Sequence, residues 1–125
     1  MGTIFTEDEK DMILKNGEKV FIISRRIFEK DLRRHFVGEV LESNEAVARV
    51  RGYAFVYDDI NSDFVRREEL RTRIIPLTDA GYIINLLPSE VVLEEISYQT
   101  DERNQRTITD GKTFQLNISE FSARR

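Results

Sequence analysis

At 125 residues, 40% of them apolar and 10% aromatic, the chain is long enough to bury one core and too apolar to be disordered. It contains no cysteine, which excludes disulfides, thiolate nucleophiles and cysteine-held zinc. A net charge of −4 disfavours non-specific coating of nucleic acid but leaves room for a local basic site.

The opening residues, MGTIFTEDEKD, have no apolar leader, and no run is long enough to span a bilayer. The expectation is a soluble cytoplasmic protein with no membrane association. Thr6 and Glu9 form a capping box, acids fill the first turn, and Asn16-Gly17 supplies a stop, predicting one short helix over about 7–15. Lys19 to Phe28 (KVFIISRRIF) is β-branched and aromatic, hence a strand. A polar turn at Glu29–Leu32 leads into the stretch HFVGEVLESNEAVARVRGYAFVYD, His35 to Asp58. Its two long arms are joined at Glu42-Ser43-Asn44-Glu45, where Asn44 suits a tight reversal. These three strands form a predicted meander over about 19–57, and their pairing sets Arg25-Arg26 close to Arg33-Arg34. Crowding of that kind calls for an anion, for acids from elsewhere, or for a partner subunit.

The second arm alternates. Ala46, Ala48, Val50, Gly52, Ala54 and Val56 share one face, and Val47, Arg49, Arg51, Tyr53, Phe55 and Tyr57 share the other. A bulge at Gly52 would swap the faces and send Phe55 into the core. Without one, Arg49, Arg51, Tyr53 and Tyr57 would make an exposed arginine-aromatic platform of the kind that stacks bases.

Asp59, Asn61 and Asp63 open like a calcium loop, but Phe64 and Leu70 stand where that loop needs glycine and glutamate, so a solvated connection is expected. Leu70 to Leu77 and Tyr82 to Leu87 read as strands, with Pro76 marking an edge or end of the first and the near-continuous apolar run of the second marking a buried strand. Val91 to Gln99 reads either as a strand or as one helical turn followed by a strand. Thr107 to Phe114 reads as a hairpin on an Asp110-Gly111 type I′ turn, and Phe114, Leu116 and Ile118 alternate in a last strand. The whole is one domain over 1–125, with strands continuing to about 118.

The segment Phe36-Val37-Gly38-Glu39-Val40, with the turn and long strand after it, is similar to the first half of an Sm domain. With a short N-terminal helix, that resemblance implies a small, strongly bent antiparallel sheet or barrel in the SH3/Sm style. It departs where Sm proteins bind RNA: no aspartate-apolar-asparagine turn follows the second strand, and no Arg-Gly turn separates the last two. It therefore implies an architecture and no activity.

Catalytic chemistry is thin. His35 is the only histidine, Glu68-Glu69 and Glu94-Glu95 are adjacent pairs that a strand would point apart, and no nucleotide-cradling or nucleophile-elbow motif is present. No cofactor or metal is expected, and an enzyme built on carboxylates with His35 ranks below a binding protein. Arginine outnumbers lysine and comes in pairs at 25/26, 33/34, 49/51, 66/67 and 71/73, closely matched by acids. The function expected is a non-catalytic binding or assembly module, a homo-oligomer or a binder of a protein partner, joined through strand edges and arginine-carboxylate pairs. The alternative is RNA or single-stranded nucleic-acid binding through Arg49, Arg51, Tyr53 and Tyr57, with Arg33 and Arg34 tracking phosphate.

Overall fold

The structure is a computed structural model and describes residues 13–25, 33–78 and 81–118. The helix expected over 7–15 falls mainly outside that range, and residues 13–15 carry no helical turn. The described residues are mainly β, in two antiparallel sheets.

The larger sheet has six strands: β1 (Lys19–Ser24), β2 (Arg34–Ser43), β3 (Val47–Asp58), β4 (Asp63–Arg66), β5 (Arg71–Pro76) and β6 (Tyr82–Leu87). The order is β4-β3-β2-β1-β6, and β5 also lies on β3. Strand β3 is long enough to serve two neighbours along one edge: Val47 to Gly52 pair with β5, and Phe55 to Asp58 pair with β4. The turn between β2 and β3 works as its sequence suggests, with the Asn44 carboxamide oxygen accepting from the N–H groups of Ala46 (2.7 Å) and Val47 (2.9 Å).

A single 3-10 turn, Leu93–Glu95, then leads to a smaller sheet of β7 (Ser97–Thr100), β8 (Arg106–Thr109) and β9 (Gln115–Asn117). The β8–β9 connection is not the expected type I′ turn. That turn needs two left-handed residues, and only Gly111 has positive φ (86°) here. The Asp110 carboxylate organises a longer loop instead, accepting from the backbone N–H groups of Lys112, Thr113 and Phe114 and from the Thr113 hydroxyl. Burial pushes the Asp110 carboxyl up, and these donors outweigh it, holding it well below the usual carboxylate range.

Each face of the larger sheet has its own core. On one face Val20, Ile22, Phe36, Val40, Ala48, Val50, Ala54 and Ile75 pack together. On the other, Phe21, Val37, Phe55 and Phe64 meet Val91, Ile96 and Ile108 beneath the smaller sheet. Phe55 is buried without any exchange of faces, because register runs unbroken through Gly52 and the bulge lies between Val40 and Glu42. Gly52 faces Gly38 across the β2–β3 ladder, and the backbones approach so closely that a Cβ at Gly52 would stand 1.8 Å from the Val37 carbonyl oxygen. That contact lets the sheet coil tightly. The sheet does not close into a barrel, since β5 and β6, at opposite edges, do not pair with each other.

Candidate anion-binding cleft

Tight coiling brings the edges of the larger sheet toward one another over the first core, and a cleft of about 480 Å³ opens between them. Its floor is apolar, formed by Ile22, Phe36, Ala54 and Ile75. Its rim carries Arg34, Arg67, Arg71 and Arg73, with Ser24 and Tyr82 opposite.

Local structure accounts for each arginine. On β5 the period of two sends Arg71, Arg73 and Ile75 to the same face, in register with Gly52, Val50 and Ala48. Arg34 begins β2 between Ser24 and Val56, on the Phe36 face. The Arg67 N–H donates to the Ala54 carbonyl (2.8 Å), which extends the β4 ladder by one residue and brings Arg67 to the rim. The Arg73 guanidinium lies 5.3 Å from the centre of the Phe36 ring. Burial lowers the Arg73 pKa, and the neighbouring charges of Arg71 and Arg34 lower it further; an arginine keeps its charge regardless.

Among the described residues, no carboxylate lines the cleft. Glu69 pairs with Arg71 at 3.0 Å, but among the described residues no acid pairs with Arg34, Arg67 or Arg73. Like charges held together over a low-dielectric floor repel one another, and an anion would relieve that repulsion. Proton-transfer chemistry is poorly provided for. Arginine does not give up its proton near neutral pH, and His35, which also borders the cleft, turns its ring into the inter-sheet core against Phe64 and the Tyr98 hydroxyl.

The residues expected to bind from sequence are dispersed. Only Arg34 reaches the cleft. Arg33 lies over the Tyr57 ring at 5.2 Å, and Arg106 reaches the same ring. Arg49 pairs with Glu42, and Arg51 stands opposite Glu39 on an exposed part of the sheet. Tyr53 and Tyr57 are half-buried, with Tyr53 donating to the Glu94 carboxylate (3.2 Å) under the Arg66 guanidinium. Arg67, Arg71 and Arg73 were visible in the sequence only as members of pairs, and Tyr82 as part of an apolar strand; their shared face depends on which edge β5 joins.

His35 belongs to the inter-sheet core. It stacks on Phe64 (4.2 Å between ring centres), meets Phe21 edge-on and shares a 2.5 Å hydrogen bond between Nδ1 and the Tyr98 hydroxyl. No group of histidines and acids among the described residues has the spacing of a metal site. No helix among them is long and apolar enough to cross a membrane. Comparison with protein-family models, curated proteins and solved structures gives no match.

Proposed function

We propose that the chain is a non-catalytic binding module whose working surface is the arginine-lined cleft, where it takes an anionic group. The observation that carries this reading is the set of Arg34, Arg67 and Arg73 around an apolar floor with no acid paired to them among the described residues. Titration calorimetry with pyrophosphate at low salt tests it. The expected result is saturable one-to-one binding that weakens as salt rises. Replacing two charge-assisted contacts in Arg34→Glu/Arg73→Glu is expected to weaken it by at least about 100-fold, with the far-UV spectrum unchanged. A folded wild-type protein that binds no pyrophosphate at low salt refutes the proposal.

Self-association through strand edges is a second reading, supported by a separate observation. β5 and β6 each have one unpaired edge among the described residues, and they carry Ile74 (54% exposed), Ile83 (54%) and Leu86 (56%). Light scattering across a concentration series is expected to show a dimer or larger assembly that Leu86→Lys returns to monomer. A wild-type monomer at the highest concentration rules this reading out. The nucleic-acid reading through Arg49, Arg51, Tyr53 and Tyr57 has less to support it, since both arginines face glutamates and both tyrosines lie against the second sheet.

A further inference from the structure

We propose that the ligand of the cleft is a small organic phosphate, a phosphomonoester or diphosphate head on an aromatic or aliphatic body. This rests on the anion-binding reading above and makes it specific in three respects.

The first is the head group. A carboxylate is planar and satisfies one guanidinium fork at a time, whereas a terminal phosphate presents three oxygens in different directions and carries close to two charges. Arg34, Arg67, Arg71 and Arg73 come from three separate places: the start of β2, the end of β4, and β5. Donors converging from several directions match a tetrahedral polyanion better than a planar one.

The second is the body. Ile22, Phe36, Ala54 and Ile75 form the floor, and Arg73 already lies over the Phe36 ring, so the guanidinium marks a boundary between a charged rim and an apolar base. Inorganic phosphate would use the rim and leave the floor to water. A body that removes about 55 Å² of apolar surface from water would add a factor of about ten in affinity, at about 25 cal/mol per Å² and 1.4 kcal/mol per tenfold.

The third is size. The cleft volume, about 480 Å³, is in the range of small-molecule sites. A polynucleotide needs a basic track leading onward from such a site. Five other arginines among the described residues do not extend one: Arg49 and Arg51 face Glu42 and Glu39, while Arg33, Arg66 and Arg106 lie over tyrosine and phenylalanine rings. The net charge of −4 further opposes a long polyanion.

The test is calorimetric titration of the full chain with phenyl phosphate, inorganic phosphate, benzoate and a single-stranded 20-mer. The expected result is that phenyl phosphate binds at least tenfold more tightly than inorganic phosphate or benzoate, and more tightly per site than the 20-mer. Arg34→Gln, at an exposed position, and Arg34→Gln/Arg73→Gln are expected to lose most of that binding while keeping the unfolding midpoint. Inorganic phosphate binding as tightly as phenyl phosphate overturns the apolar body, and benzoate binding as tightly overturns the phosphate head; both leave the anion site standing. Preference for the 20-mer overturns the small-ligand assignment. Binding of none of the probes overturns this inference and the anion-binding reading together.

Discussion

Gly52→Ala is expected to yield little or no folded protein. A Cβ at this position would stand 1.8 Å from the Val37 carbonyl oxygen and 2.5 Å from the Gly38 Cα, both backbone atoms of the central ladder. No rotamer change relieves such contacts, so β2 and β3 must separate at the middle of the sheet, between the two cores. The expected cost is at least about 4 kcal/mol, against a total stability of about 5–15 kcal/mol for an ordinary domain. Urea unfolding followed by far-UV circular dichroism checks this, with Gly111→Ala as the control. Gly111 has nothing within 4 Å of its would-be Cβ and only its φ of +86° to defend, so that variant is expected to lose about 1 kcal/mol and still fold. A Gly52→Ala protein as stable as Gly111→Ala would show that the glycine pair does not set the coil of the sheet.

The second large effect is loss of stability in mild acid, through His35. Burial between the sheets pushes its pKa down, as do the nearby charges of Arg106 and Arg33, to about 4 from an ordinary 6.5. Near pH 7 the imidazole is mainly neutral in both folded and unfolded chains, and the pH dependence it causes is small. Between about 6.5 and about 4 the unfolded chain takes up a proton that the folded one refuses, so stability falls as the pH falls. At about 1.36 kcal/mol per unit the loss amounts to about 3 kcal/mol before it levels off below the folded pKa. Asp110 acts in the same direction at still lower pH, as its hydrogen-bonded carboxylate must then be protonated. Urea midpoints from pH 7.5 to 4 are expected to show the slope in the wild type and to lose the upper part of it in His35→Gln. That variant should also be weaker at pH 7, because it removes the ring stacked on Phe64 and the partner of the Tyr98 hydroxyl. An imidazole titrating near 6.5 by nuclear magnetic resonance, or an unchanged slope in His35→Gln, would sink the account.

What could be read from the chain beforehand was whatever depends on near neighbours. The alternation of β3 and the Asn44 turn act within a few residues, and both hold; Tyr82–Leu87 is a strand, but at a sheet edge with Ile83 and Leu86 exposed and not of the buried type its apolar run suggests. The stretch after Val91 takes the helical-turn-then-strand form because Leu93–Glu95 and Ser97–Thr100 divide it. Strand β4 was not anticipated: Asp63–Arg66 is only four residues long and sits among charges, and it exists because the far half of β3 needs a partner. The surroundings of Tyr53 and Tyr57 were open for a different reason. Alternation told which face they occupy, but only the packing of Ile96, Tyr98 and Ile108, some forty residues later, decides that this face is covered. The same limit applied to the cleft. The Arg71/Arg73 spacing was plain in the sequence, whereas its convergence with Arg34 and Tyr82 is a product of sheet order.

That order also has a kinetic side. Strands β1 to β5 pair with partners close by in the chain, but β6 returns across some sixty residues to lie on β1, with Tyr82 opposite Ser24 and Leu87 opposite Lys19. Pairings of high sequence separation bear the largest loop-closure entropy and form late. One wall of the cleft, with Ser24 and Tyr82, is completed only by that closure, while the β5 wall is assembled locally. An anion bound between them would engage the finished fold and no earlier species, so its binding energy would be added to the native state alone.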